Sequence, residues 1–178
     1  MCGRYTLFTD KEYQDIRKII RAVQEKGHEV KTGEIYPTNP APILVWEGKE
    51  TVPQAVKWGW PKFQGSGVLI NARAETAKEK NLFRKSVYTR RCVVPTTGFY
   101  EWDQEKAKYR FILPHASTLY LAGLYNEFQG ERRFLILTTE ANASVSFIHS
   151  RMPVIIFREM IDTWLEDTEK AVHMLHWQ

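Results

Sequence analysis

The 178-residue chain is 43% apolar and 26% charged, as in a folded, water-soluble protein and unlike disordered or collagen-like chains. No run approaches the roughly 20 apolar residues of a membrane-spanning helix, and the opening MCGRYTLFTD lacks the basic-then-apolar layout of a secretory leader, so a cytoplasmic location is expected. The net charge of +4 permits polyanion binding without demanding it, and Cys2 and Cys92 are too few for a disulfide framework or a metal cluster.

Residues 10–26 carry Tyr13, Ile16, Ile19, Ile20 and Val23 at helical spacing, behind Thr9 or Asp10 as N-cap and ahead of Gly27 as a stop, which predicts an amphipathic helix. The stretch TGEIYPTNPAP reads as a surface connector into a strand over 42–48, which pairs across the Gly48-Lys49-Glu50 turn with a second strand over 51–58. GWPKFQGSG breaks the regularity, and residues 74–86 have helical composition with Leu82 and Phe83 as apolar anchors.

RRCVVPTTGFYEW, KYRFILPH, STLYLAGLYNEF and RRFLILTTE are β-branched and aromatic runs between turns and should form most of a sheet. ANASVSFIHSRMP predicts a short helix and loop, VIIFR a strand, and a last helix starts near Glu159. This order is neither strict βαβ alternation nor all-β. The expected class is α+β, with a largely antiparallel, barrel-like sheet and a few flanking helices. With no internal repeat or dividing linker, residues 1–178 read as one domain.

Cys2 carries the most chemistry. Removal of the initiator methionine would leave it with a free α-amine and a thiol on adjacent carbons. An α-amine titrates near 8 against about 10.4 for lysine, so near neutrality its nucleophilic fraction is larger by roughly two orders of magnitude. The amine attacks an aldehyde to give a Schiff base, and the thiol then closes a five-membered thiazolidine, an adduct closed to an internal cysteine.

Glu101 in GFYEW and His149 in FIHSRMP are the two usual types of proton shuttle. Asn71, Arg73 and Glu75 stand together in INARAET. Taken singly, Asn71 suits a turn, Glu101 a solvated strand and His149 a half-buried ring. Trp58 and Trp60 suit either a core or stacking faces for unpaired bases. P-loop, dinucleotide, HExxH and GxSxG motifs are absent, so neither a nucleotide cofactor nor a metal is expected.

In order and spacing, MCGRYTL, KWGW, INARAET, CVVPTTGFYEW, LTTEAN and FIHSRMPVII resemble the SOS response-associated peptidase family. The resemblance implies a compact α+β fold and a self-processed N-terminal cysteine that cross-links to the ring-opened aldehyde of abasic sites in single-stranded DNA, the chain acting as a monomer. Carried over, Cys2 is the nucleophile, Asn71 positions the adduct, Glu101 is the acid/base of processing or lyase chemistry, and His149 activates the sugar and assists reversal. Arg4, Arg73 and Arg151 resemble the phosphate-contacting arginines, and Trp58 and Thr138 would line the DNA groove.

Two departures stand out. The family's YN-x-AP connector is replaced by Tyr36-Pro37-Thr38-Asn39-Pro40-Ala41-Pro42, and the chain stops at HMLHWQ, before the family's usual closing segment, which leaves a sheet edge in question. Two further readings stay open: a cysteine-type peptidase using Cys2, Glu101 and His149, and a noncatalytic single-strand-binding module.

Overall fold

A computed structural model describes residues 2–113 and 118–176. Strand β1 (Tyr5–Leu7) leads into helix α1 (Gln14–Gln24), followed by β2 (Gly33–Ile35), the hairpin β3 (Pro40–Trp46) and β4 (Thr51–Trp58), and the short strands β5 (Trp60–Pro61), β6 (Val68–Leu69) and β7 (Asn71–Arg73). Helices α2 (Ala74–Ala77) and α3 (Asn81–Thr89) precede β8 (Arg91–Thr96), β9 (Gly98–Trp102), β10 (Lys108–Phe111), β11 (Leu119–Phe128), β12 (Glu131–Glu140) and β13 (Arg151–Pro153). A 3-10 turn over Arg158–Met160 then opens α4 (Ile161–Glu166) and α5 (Thr168–Met174).

The expected α+β class and barrel-like, largely antiparallel sheet are what is found. Strands β11, β8, β3, β4 and β12 follow one another, and β12 pairs back onto β11, so five strands close on themselves. Only the β4–β12 contact within that ring is parallel. Strand β12 is shared along its length: residues 131–136 pair with β11, and its second half takes β7 in parallel at 136–138 and β13 antiparallel at 138–140. A second sheet, β10-β9-β1-β2, is antiparallel throughout. The site lies where it meets β7 and β13.

Alternation along the strands sorts side chains into two cores. Cys92, Val94, Leu121, Phe134 and Ile136 join Tyr5, Ile43 and Trp58 in one, while Val93, Ala122, Leu124 and Leu135 point the other way and meet Trp60, Phe83 and Trp164. Arg91, also buried, ties the second core together: Nε donates to the Trp164 carbonyl at 2.7 Å, Nη1 to those of Val87 and Tyr88, and Nη2 to that of Leu165. These carbonyls belong to α3 and α4 near their C-terminal ends, where the helix dipole favours a cation.

The elements depart from expectation at their ends. Helix α1 starts at Gln14 behind Tyr13, without a side-chain cap, whereas Gly27 does follow the helix at φ +79° and its N–H reaches the Gln24 carbonyl. The stretch expected as one helix over 74–86 is split in two. Residues 141–150 make hydrogen-bonded turns rather than a helix, among them His149 N–H to the Val145 carbonyl at 3.0 Å. The strand expected at VIIFR begins earlier, at Arg151, and Ile155 makes only an isolated bridge to Leu121. The ends of the KYRFILPH and STLYLAGLYNEF runs fall at residues 114–117, and Met1 with its removal falls at residue 1, all outside the described residues.

Candidate active site

A threonine-rich corner positions the site. Between β8 and β9 the chain turns at Gly98, whose φ of +150° and whose missing side chain are both needed, since a Cβ there would lie 2.8 Å from the Phe111 carbonyl oxygen. Thr6 and Thr97 share a hydroxyl–hydroxyl bond of 2.8 Å, Thr96 Oγ1 donates to the Thr6 carbonyl at 2.7 Å, and the Thr97 N–H reaches the same carbonyl at 2.9 Å. The Tyr100 N–H adds a bond to the Arg4 carbonyl at 2.9 Å. The strand that follows Cys2 is thereby stitched to the strand that carries Glu101.

Cys2 is fully buried, its Sγ 3.7 Å from the Arg4 carbonyl oxygen. Burial, reinforced by the negative charge of Glu101, pushes its thiol up to about 12, so the sulfur is a thiol rather than a thiolate near neutrality. Asn71, delivered by β7, donates its Nδ2 to the Cys2 carbonyl at 3.0 Å. Glu101 is only 2% exposed, which overturns its reading as a solvated strand residue, and burial raises its carboxyl above the usual range against the lowering pull of nearby positive charge.

Glu101 Oε2 lies 4.0 Å from His149 Nε2. On the far side of that ring, the Arg151 N–H donates to Nδ1 at 3.0 Å. The Arg151 carbonyl oxygen lies 3.1 Å from the same nitrogen, so the main chain of residue 151 holds the ring with Nε2 turned toward Glu101. Asn71, Glu101 and His149, far apart in sequence, are thus gathered about Cys2.

The three arginines differ. Arg73 is exposed, at the junction of β7 and α2, and has no ion pair among the described residues. Arg4 pairs with Glu34 at 3.3 Å and lies over the rings of Tyr36, at 4.3 Å, and Trp102, at 5.2 Å. Arg151 makes a bidentate pair with Glu75, at 2.7 and 2.9 Å, and donates to the Thr138 carbonyl at 2.7 Å.

Two expected groove residues are corrected. Trp58 is wholly buried between Tyr5 and Phe134, its Nε1 donating to the Ile70 carbonyl at 3.1 Å, because its position on β4 faces the barrel interior. Trp60 is buried as well. Thr138 has no exposed surface and backs Arg151 rather than a groove. Sequence reasoning left Glu75 without a role and missed Tyr36 and Trp102 as the aromatic bed of Arg4. Nothing local links Glu75 to Arg151, 76 residues away.

The comparisons agree with one another. The family described as SOS response associated peptidase (SRAP) matches residues 1–177. The chain is 35% identical over 185 residues to the abasic site processing protein YoqW of Bacillus subtilis, an alignment covering 93% of this chain and 80% of that one. It is 32% identical over 181 residues to the abasic site processing protein YoaM of the same organism, covering 93% and 79%. Among solved structures, a protein from Bacteroides thetaiotaomicron superposes with a TM-score of 0.77 at 25% identity, covering 98% of this chain and 86% of that one.

Proposed function

Since the chain belongs to the SOS response associated peptidase family, we propose that it processes abasic sites in DNA by covalent capture on Cys2. One observation carries the reading: an asparagine amide, a buried carboxyl and a histidine converge on the second residue, with Asn71 Nδ2 3.0 Å from the Cys2 carbonyl oxygen.

Hydrolysis of the Met1–Cys2 bond consumes one water and frees methionine and the Cys2 α-amine. The amine adds to the aldehyde of the ring-opened sugar and loses water to give a Schiff base. The thiol then adds across the C=N bond, its sulfur to carbon and its proton to nitrogen, closing the thiazolidine with no further loss. In lyase cleavage the Schiff base instead gives up a proton from the neighbouring carbon and expels the 3′ phosphate.

Glu101, its carboxyl raised by burial, is suited to exchange protons with the amine or the water, and His149 turns its Nε2 toward it as a second proton-carrying group. Asn71 holds residue 2 by its carbonyl while the new bonds form. Single-stranded DNA is the proposed form, because the cations and rings at the rim, Arg73, Arg4, Tyr36 and Trp102, suit phosphates and unpaired bases. A general cysteine peptidase is less well supported: a buried thiol raised to about 12 is a poor attacking group toward an outside peptide.

The test is incubation with an abasic single-stranded oligonucleotide followed by denaturing electrophoresis and intact mass. The wild-type protein should give a shifted band with the mass of protein plus oligonucleotide less one water, and Cys2→Ala should give none. A stable adduct of undiminished yield in Cys2→Ala would overturn the reading.

A further inference from the structure

The Arg4 guanidinium lies over the rings of Tyr36, at 4.3 Å, and Trp102, at 5.2 Å, which together set the plane of the group. Of its five N–H donors, Nε is buried without a hydrogen-bond partner, and one on Nη1 reaches Glu34 Oε2 at 3.3 Å. The other three, one on Nη1 and both on Nη2, are open to an outside acceptor. Such a fork suits a phosphate. The obstacle is Glu34, whose carboxylate stands beside the guanidinium and could cancel its charge.

Glu34 is satisfied by other partners. Lys108 Nζ donates to Oε1 at 2.6 Å and the Tyr36 hydroxyl to Oε2 at 2.8 Å, both closer than the 3.3 Å of Arg4. The carboxyl is held down to about 2, by the Lys108 hydrogen bond first and that of Tyr36 next. Lys108 is itself held in place, its Nζ 3.9 Å from the centre of the Tyr100 ring. It comes from β10 and Glu34 from β2, the two edges of the four-stranded sheet, so the pair spans the face opposite Glu101. Two cations against one carboxylate leave one positive charge, and the shorter bonds leave it on Arg4.

We propose that Glu34 and Lys108 are positioning residues for Arg4: Glu34 anchors one edge of the guanidinium, and Lys108 neutralises Glu34 so that the Arg4 charge is left for a DNA phosphate. The phosphate contact rests on the proposed function, whereas the question of which cation neutralises Glu34 concerns the protein alone.

The experiment measures the affinity of an intact single-stranded oligonucleotide, without an abasic site, against salt concentration. Each phosphate contact to a single strand contributes a slope of about 0.7 in log affinity against log salt. Arg4→Met should lose about one such contact. Lys108→Met should lose most of the same contact and bind several-fold more weakly at low salt, while Lys108→Arg keeps the wild-type slope. In a Glu34→Gln background Lys108→Met should change nothing, because the charge that it neutralises is gone. A wild-type slope in Lys108→Met would overturn the proposal. So would an equal loss in both backgrounds, since Lys108 would then touch the DNA itself.

The second readout is the titration of Glu34, followed by the 13C resonance of its carboxyl carbon. Lys108→Met should raise its pKa by more than Arg4→Met does. An equal or larger rise in Arg4→Met would make Arg4 the neutralising partner, and the proposal falls. Lys108→Gln stands in, with the same expectations, for a Lys108→Met protein that does not fold. If the wild-type protein binds no oligonucleotide, the proposed function is what fails, and the carboxyl titration decides this inference.

Discussion

The guanidinium groups of Arg91 and Arg151 are both drawn inward, and their surroundings differ. Arg91 gives its donors to four main-chain carbonyls of α3 and α4, with no carboxylate in the set, and burial lowers its pKa. Arg151 is met by a carboxylate from another element. Carbonyls at helix ends can hold a cation because their dipoles already point at it, and such an arrangement ties elements together without altering the charge presented to a ligand. A carboxylate partner instead erases the charge locally, which matters only where charge at that spot affects something outside. The contrast separates a region whose polar groups hold the fold from one whose polar groups set chemistry.

If that separation is right, stability and chemistry should be lost at different places. The largest expected effect is on chemistry. Glu101→Gln preserves size and hydrogen bonding but cannot take a proton, and general acid–base groups typically contribute 10² to 10⁴ in rate. Release of Met1, followed by intact mass during expression, or strand cleavage by molecules that already lack Met1, should slow by about that factor. Rates within twofold of the wild type would make Glu101 a structural residue and erase the contrast.

The second effect lies at Arg91. Arg91→Met keeps the apolar stem but strands the carbonyls of Val87, Tyr88, Trp164 and Leu165, and the loss of charged hydrogen bonds at a buried site costs about 3 kcal/mol. For a domain of this size that is a fall in Tm of roughly 10 °C. Below the new Tm, the yield of abasic-site adduct per folded molecule should equal that of the wild type. An adduct yield that falls before the fold does would join the two regions that the contrast separates.

Much of the fold was legible because strands announce themselves by alternation: Val93 and Val94, or Leu135 and Ile136, send neighbouring side chains to opposite cores. The hairpin of β3 and β4 followed from its glycine turn. What the sequence did not disclose were the two- and three-residue strands, β5, β6 and β7 among them, too short to show a period; β7 forms along the edge of β12, and β5 and β6 pair with each other. The same limit applied to the site. Cys2, Asn71, Glu101 and His149 could be named from the resemblance, but Trp58 and Thr138 were misread as groove lining because burial is settled by which way a strand faces. Glu75 went unassigned because its partner enters on the opposite edge of β12, and no local pattern records that meeting.

The smallest expected effect also falls on Glu101, and it runs opposite to the first. Burial raises its carboxyl, so the folded protein holds a proton that the unfolded chain has released once pH exceeds the ordinary carboxylate range. Stability contributed by this group therefore falls as pH rises through the window between the unfolded and folded pKa, and stays lower above it. Glu34, Glu75, Glu131 and Asp167 act the other way, their pKa values lowered by partners, but they are common to both proteins and cancel in a comparison. Glu101→Gln removes only the penalty. The variant should thus melt above the wild type at pH 7 and together with it below pH 4. Thermal melts at both values, read beside the slowed chemistry, test whether the buried carboxyl is kept at a cost in stability; a variant that melts lower than the wild type at pH 7 would show that Glu101 stabilises the fold and belongs with Arg91.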